Sequence, residues 1–411
     1  MEATTNAKNE RKASPLLVIF ITIFIDMIGF GIVIPVLPLY AEGTRFNATA
    51  LQIGALVGIY SFLQLICSPL FGKLSDRIGR KPVLLVSVAG TAIGFLVMGA
   101  ANTLWMLFLA RIIDGASGGN ISTAQACIAD VTPPEHRSKS MGLIGAAFGL
   151  GFVFGPAIGG VLSKVSLSAP FYFAAALAFI NVCFIALRLP ETHGPEHRVQ
   201  AHEKARIGDV FARHGALIGT IFAAYFLSIT AFSMMTTLFA LFNKSRFNFD
   251  ASHTGYILAY VGILGVLIQG GLLRRLLKKP IEKELAMTGA ALLALSMFLL
   301  PLCHSLGALL AVCAGVALGN GFITPTLNGL ASRVADRRVQ GRTLGLMQSA
   351  GSLGRVVGPL LATALLKFDF DHYARVPFWT SGAILVATFA LILSMTPAKA
   401  PAPQPDAIPE T

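Results

Sequence analysis

Long apolar runs separated by short polar segments fill almost the whole chain. A helix that crosses a bilayer needs about 20 mostly apolar residues, and twelve runs meet this requirement. A strand of a membrane barrel would instead be about ten residues with alternating character, so helices are predicted. The runs lie at 15–40, 51–71, 83–101, 103–128, 138–162, 168–188, 214–242, 251–273, 284–303, 306–332, 341–366 and 374–395. The pattern predicts an all-α integral membrane protein.

The longest internal polar stretch separates the first six runs from the last six. We therefore expect a cytoplasmic N-terminal segment, a six-helix bundle, a cytoplasmic central loop, a second six-helix bundle and a disordered cytoplasmic tail. Their predicted bounds are 1–14, 15–188, 189–213, 214–396 and 397–411. The first run is too long for the apolar region of a signal peptide, so we expect an uncleaved first helix.

A repeat relates the two predicted bundles. Three positions of the fifth run recur in the eleventh run at a constant offset of 203 residues: Gly142, Gly155 and Pro156, then Gly345, Gly358 and Pro359. Pseudo-symmetric bundles with a binding site between them are the general plan of secondary transporters.

Composition and charge support a membrane location. Charged residues make up 13% of the chain, whereas soluble proteins carry about 25%. The net charge of +12 does not indicate nucleic-acid binding, because the basic residues form short clusters between apolar runs. With both termini in the cytoplasm, the cytoplasmic segments hold 24 of the 32 Lys and Arg residues and the outer loops hold six. Cytoplasmic loops are enriched in Lys and Arg, which predicts this orientation.

Four charged residues lie well inside predicted helices: Asp26, Arg111, Asp114 and Arg355. Each is costly at membrane depth, by at least about 2.5–3.5 kcal/mol, and so needs a partner or a function. Arg111 and Asp114 are three residues apart and can pair, either structurally or as part of a functional site. Asp26 can exchange protons in a cavity or make a helix-bending hydrogen bond. For Arg355, anion binding or charge balance in a cavity competes with a structural pair to Asp26 or Asp114.

Two helix faces carry weaker candidates for a cavity lining. On the seventh run they are Tyr225, Ser228 and Phe232, and on the tenth run Asn320, Thr324 and Asn328. Rows of aromatic and polar residues on a helix face more often serve helix packing and interhelical hydrogen bonds than a cavity lining. Both interpretations stay open.

Two motifs are ordered enough to indicate more than packing. Gly72-Lys-Leu-Ser-Asp76-Arg77-Ile-Gly79-Arg80-Lys81 joins the second and third runs. Its glycines permit a tight turn, and Asp76 can cap a helix or pair with an arginine. We expect Asp130 to be the partner of Arg77. In the fifth run, Gly151, Gly155, Pro156, Gly159 and Gly160 place three glycines at i, i+4 and i+8, a flat face that lets helices approach closely.

These motifs resemble the major facilitator superfamily over almost the full length of the chain, in particular its tetracycline-efflux and multidrug proton antiporters. The resemblance implies a latch between the two halves of the protein at Gly72, Asp76, Arg77, Gly79, Arg80 and Asp130. It implies an antiporter signature at Gly151, Gly155, Pro156, Gly159 and Gly160. It also implies proton coupling by Asp26, Arg111 and Asp114, with the first, fourth, seventh and tenth helices lining the cavity. Tetracycline pumps carry acidic residues in the third and ninth helices, whereas residues 83–101 and 285–303 of this chain contain none. The expected cargo is therefore a drug, tetracycline-like or of another class, or a metabolite.

The sequence therefore predicts a secondary active transporter of the bacterial inner membrane that exports small organic molecules in exchange for protons by alternating access. There are two alternatives. One is a metabolite importer or symporter of the same fold, and the other is a non-transporting membrane scaffold or sensor. The chain contains no P-loop, no metal-ligand spacing and no Ser/His/Asp arrangement. We therefore expect neither an enzyme nor a cofactor or metal, but a monomer with a small-molecule substrate, protons and lipid as its partners.

Overall fold

A computed structural model describes residues 14–133, 137–192, 210, 215–277, 281–335, 340–369 and 374–395. The predicted N-terminal segment, apart from Ser14, lies outside these residues, as do the predicted tail and most of the predicted central loop. The described parts of the chain consist of helices joined by short connections, in agreement with the all-α prediction.

Seven helices come from the first half of the chain. They are α1 Pro15–Glu42, α2 Ala50–Ile78, α3 Arg80–Gly99, α4 Leu104–Ser117, α5 Asn120–Val131, α6 Arg137–Ser163 and α7 Ala169–Arg188. We call α1 to α7 the N-terminal half. The helix α2 begins with a capping box in which Thr49 and Gln52 satisfy each other's backbone N–H groups.

Six of the described α-helices come from the second half, and we call them the C-terminal half. They are α8 Gly215–Phe247, α9 Ala251–Leu267, α10 Glu282–Leu299, α11 Leu306–Val334, α12 Gln340–Leu365 and α13 Arg375–Ser394. The helix α9 continues as a π-helix over Ile268–Leu273 and a last turn at Arg274–Leu276. Within the described residues, eleven helices are long and apolar enough to cross a membrane.

The predicted fourth crossing is divided into two helices. The helices α4 and α5 are separated by Gly118 and Gly119, so the prediction of one continuous helix over 103–128 is wrong. The backbone carbonyls at the break have side-chain partners: Gln64 donates to the Gly118 oxygen at 3.0 Å, and Ser122 donates to the Gly119 oxygen at 2.8 Å. A helix can be interrupted at membrane depth only where such partners satisfy the backbone. Gly321 lies 203 residues after Gly118 and is its counterpart in the repeat. It lies inside the continuous helix α11.

The two halves use equivalent contacts internally. The helix α6 packs on α1, and α12 packs on α8. A Cβ atom on Gly155 would lie 2.7 Å from the Cα of Gly31 in α1. A Cβ atom on the repeat-related Gly358 would lie 2.7 Å from the carbonyl oxygen of Thr230 in α8. The repeated glycine therefore serves the same close helix contact in each half.

The halves meet at one end and separate at the other. We call the end with the Lys- and Arg-rich connections, such as 72–82, the basic end. At the opposite end a Cβ on Gly255 of α9 would lie 2.9 Å from Gly160 of α6, and Lys244 Nζ is 2.8 Å from Glu42 Oε2. Toward the basic end, a Cβ on Gly145 of α6 would meet no heavy atom within 4 Å. The described contacts thus join the halves at the opposite end, whereas Gly145 has no close neighbour toward the basic end.

The motif between α2 and α3 is mostly helical. The helix α2 continues through Gly72 to Ile78, so the expectation of a turn at Gly72 is wrong. The chain turns only at Gly79, whose φ of 108° is a conformation that favours glycine. The hydroxyl of Ser75 bonds to the Gly72 carbonyl at 2.8 Å inside this last part of α2.

Candidate functional site

Arg111 and Asp114 form an ion pair buried in the N-terminal half. Arg111 Nη1 donates to Asp114 Oδ2 at 2.9 Å, and the side chains are only 2% and 6% exposed. Arg111 Nε also donates to the backbone oxygen of Leu56 at 3.1 Å, and its guanidinium carbon lies 4.4 Å from the centre of the Tyr60 ring. These partners stabilise the buried positive charge of Arg111, whose removal from water would otherwise cost too much free energy. The structure thus contains the local pair that the spacing predicts.

Asp26 lies beside this pair but belongs to no ion pair among the described residues. It is partly exposed on α1, and it interacts electrostatically with Asp114. The side-chain amide of Asn120 is close to Asp26, yet both amide atoms of Asn120 are buried without a hydrogen bond of normal geometry. The break before α5 therefore brings a polar side chain next to the Asp26 carboxylate.

Tyr60 connects the charged groups, and sequence reasoning missed it. Its hydroxyl accepts a hydrogen bond from Gln64 at 3.3 Å, and its ring centre is 5.9 Å from that of Phe30. It interacts electrostatically with Asp26, Asp114, Arg111 and Arg355. The available signal is a tyrosine and a glutamine four residues apart in an apolar run, which places both on one helix face.

Arg355 lies in the C-terminal half and has no carboxylate within 4.0 Å among the described residues. Its Nη2 atom donates to Ser352 Oγ at 3.0 Å, and it interacts electrostatically with the hydroxyls of Tyr225 and Tyr60. The alternative of a structural pair to Asp26 or Asp114 is not formed, because Asp114 pairs with Arg111. Arg355 is partly exposed.

The predicted stripe on α11 forms a linked polar face. Thr324 Oγ1 donates to Asn320 Oδ1 at 3.2 Å, and Asn328 Nδ2 donates to the Thr324 carbonyl at 3.0 Å. All three side chains are partly exposed. They can therefore offer further polar groups to a molecule that enters between the halves.

The stripe on α8 is more buried than its counterpart on α11. Tyr225 and Ser228 are 4% and 2% exposed, and Ser228 Oγ bonds to the Tyr225 carbonyl at 2.8 Å. Phe232 packs against the apolar core of the C-terminal half. Of these three residues, only Tyr225 is in electrostatic contact with one of the charged groups described above, Arg355.

Arg80 is the centre of the ion pairs at the basic end. Its Nη1 atom is 2.6 Å from Asp76 Oδ1, and its Nε atom is 2.9 Å from Asp130 Oδ2. The expectation that Arg77 pairs with Asp130 is wrong, since the turn at Gly79 places Arg80 at the start of α3 while Arg77 stays exposed on α2. The three members of this cluster all belong to the N-terminal half.

The glycine motif of α6 lies between two neighbouring helices. Gly151, Gly155 and Gly159 face the backbone of α1, and Gly159 would place a Cβ 3.2 Å from an atom of that backbone. Gly160 faces α9 in the other half and would place a Cβ 3.2 Å from a glycine Cα there, whereas the ring of Pro156 lies against Gly31 of α1. The helix continues through Pro156. Small residues thus allow α6 to contact both α1 and α9 at backbone distance.

The sequence profile of the Major Facilitator Superfamily matches residues 19–359, and a second match covers residues 283–410. The chain belongs to the Major Facilitator Superfamily. It is 33% identical to the tetracycline resistance protein, class C, of Escherichia coli over 90% of this chain and 94% of that protein. It is 31% identical to multidrug resistance protein 1 of Bacillus subtilis (strain 168) over 96% of this chain and 98% of that protein.

A solved structure shows the same fold. The crystal structure of a nucleoside transporter superposes with a TM-score of 0.77 at 16% identity, covering 93% of this chain and 100% of that chain. The predicted major facilitator fold, with the chain as a multi-pass membrane transporter and not an enzyme, is confirmed. The bacterial efflux relatives support a location in the inner membrane and a small-molecule substrate.

Proposed function

We propose that this protein exports small organic molecules, drugs among them, in exchange for protons by alternating access. The observation that carries the proposal is the set of charges at membrane depth beside the cavity between the halves. Asp26 and the Arg111–Asp114 pair lie together in the N-terminal half. Titratable groups inside a membrane bundle mark ion or proton pathways in transporters. The relatives named as tetracycline and multidrug resistance proteins support export as the direction.

The orientation follows from the distribution of basic residues. We propose that the basic end and both termini lie in the cytoplasm, because Lys and Arg cluster in the connections at this end. The cavity is then open to the cytoplasm and closed to the outside by the contacts between α6 and α9 and by the Glu42–Lys244 pair. Cargo enters from the cytoplasm in this conformation.

Proton binding would drive the transport cycle by changing the ion pair between Arg111 and Asp114. Asp26 and Asp114 interact electrostatically, so a proton bound by one changes the affinity of the other for a proton. Neutralising Asp114 leaves the buried guanidinium of Arg111 with the Leu56 carbonyl and the Tyr60 ring but without a counter-charge. Because Leu56 and Tyr60 belong to α2 and Arg111 belongs to α4, a change in this pairing shifts the balance between two helix arrangements.

The motif between α2 and α3 and the glycine motif of α6 would mediate the movement of the two halves. The cluster of Arg80, Asp76 and Asp130 holds α2, α3 and α5 together at the basic end, where we place the latch that engages when the cytoplasmic side closes. The small residues of α6 let this helix shift against α1 and α9 without displacing large side chains. The proposed oligomeric state is a monomer, because the cavity is formed within one chain.

The test is accumulation of fluorescent drugs in inside-out membrane vesicles energised by a proton gradient. We expect gradient-dependent accumulation that a protonophore abolishes. Asp26→Asn should lower it at least tenfold, whereas the control Asp250→Asn, whose carboxylate is 60% exposed next to His253, should leave it intact. Accumulation that persists without the gradient would contradict proton coupling, and inward uptake by whole cells would indicate an importer.

A further inference from the structure

Arg355 lies where the two halves begin to separate. The next residue, Val356, contacts α2 across the closed part of the interface: a Cβ on Gly58 would lie 3.4 Å from the Val356 carbonyl oxygen. One turn closer to the basic end than Arg355, the three atoms nearest to a Cβ on Gly351 belong to Tyr225 and to Arg355 itself, both from the C-terminal half. The guanidinium is therefore positioned at the closed end of the cavity and is partly exposed.

The charge of Arg355 is not neutralised by the described part of the protein. Two arginines that are buried in the N-terminal half, by contrast, have carboxylate partners. Arg111 pairs with Asp114, and Arg80 pairs with Asp76 and Asp130. Arg355 has one hydrogen bond, from Nη2 to a serine hydroxyl, and the neighbouring Tyr225 and Tyr60 are not carboxylates. Guanidinium donors in this position are suited to a carboxylate, sulfonate or phosphate group. An unpaired cation at membrane depth is a candidate binding group for an anion.

Aromatic rings of the N-terminal half lie next to Tyr60, which interacts electrostatically with Arg355. The ring of Phe30 is 5.9 Å from the Tyr60 ring and 5.9 Å from the Phe152 ring. Phe30 and Phe152 are partly exposed, and Tyr60 is in electrostatic contact with Arg355. Such rings bind flat apolar groups by offset stacking or edge-to-face contact.

We propose that the cargo is an aromatic organic anion whose acidic group binds Arg355 and whose ring packs against Phe30 and Phe152. This inference rests on the proposed export function and specifies its substrate class. The carboxylate of Asp26 in the N-terminal half repels an anion, which directs the acidic group toward the C-terminal half. A membrane potential that is negative inside drives an anion outward and a proton inward, so it favours both movements of the proposed exchange.

The experiment measures equilibrium binding to the purified protein in detergent at pH 7.5. The probes are 2-naphthoic acid, methyl 2-naphthoate and 2-naphthylmethylamine, which share a ring system and differ in charge. We expect the acid to bind at least tenfold more tightly than the ester, which corresponds to about 1.4 kcal/mol, and the amine to bind most weakly. Equal binding of the acid and the ester by the unmodified protein would overturn the inference without any variant.

Variants then identify the residue responsible. Arg355→Gln should remove the preference for the acid and change ester affinity less than about threefold, and Arg355→Lys should keep part of the preference because it keeps the charge. The control Arg342→Gln, on the same helix at the basic end, should leave the preference unchanged. A tenfold preference retained by folded Arg355→Gln would refute the assignment.

The binding result is separate from the vesicle result. Binding needs no gradient, so loss of acid preference overturns only the substrate class and leaves proton-coupled export standing. Absence of gradient-dependent accumulation, with acid preference intact, contradicts the export proposal instead.

Discussion

The ion pair between Arg111 and Asp114 gives the sharpest test of how charge is stabilised in this protein. The perturbation is a cycle of Arg111→Met, Asp114→Asn and the double variant. Each single change leaves one ionised side chain in a site where its exposure is 2% or 6%. The double variant removes both charges of the pair. The comparison therefore separates the cost of an unpaired charge from the loss of the pair itself.

The magnitude follows from the burial of the two groups. Removing one partner of a buried pair costs about 3–5 kcal/mol, whereas replacing both partners costs far less. A change of 1 kcal/mol corresponds to about 2–4 °C in melting temperature for a unit of 150–250 residues. We expect each single variant to melt roughly 6–20 °C lower. The double variant should melt above either single variant.

The assay is thermal unfolding of the detergent-purified protein with a thiol-reactive fluorogenic dye. Cys127 and Cys313 are buried and free, so their reaction with the dye reports unfolding. The control is Glu42→Gln, which breaks an exposed ion pair at the opposite end and should change stability by less than about 1 kcal/mol. A double variant destabilised by the sum of the single variants would refute the reasoning. The folded double variant should also lose proton-dependent accumulation in vesicles.

Three further outcomes are expected. Gly155→Val should prevent the close contact of α6 with α1 and reduce the yield of folded protein, whereas Gly145→Val, where a Cβ meets nothing within 4 Å, should fold normally on size-exclusion chromatography. Arg80→Gln should lower stability by about 1–3 kcal/mol because it removes the buried guanidinium that bonds to both Asp76 and Asp130, while exposed Arg77→Gln should change it by less than about 0.5 kcal/mol; equal effects would contradict the pairing. Gly79→Ala should cost about 1–3 kcal/mol, since a φ of 108° strains any residue with a Cβ, and an unchanged melting temperature would disprove this.

The features that sequence alone could predict are those set by spacing along one helix. Residues three or four apart share a helix face, which is enough to predict the Arg111–Asp114 pair and the flat glycine face of α6. Run length and the distribution of charge indicate the membrane class, and the ordered motifs indicate the family. None of these predictions requires knowledge of which helices are neighbours.

The features that sequence could not predict depend on contacts between distant segments. Tyr60 resembles an ordinary packing residue until α4 places Arg111 over its ring at 4.4 Å. Arg80 replaces Arg77 as the partner of Asp130 because the chain turns at Gly79 and not at Gly72. The proposed roles of these residues in transport remain predictions that the experiments above address.

The interruption between α4 and α5 has a practical consequence for topology mapping. A count that recognises only unbroken helices finds an odd number of crossings and assigns the two ends of the polypeptide to different compartments. Joining α4 and α5 into a single crossing gives an even number among the described helices, which predicts that the start of α1 and the end of α13 face the same compartment. A fluorescent or enzymatic reporter fused after α13 should therefore give the same signal as one fused before α1.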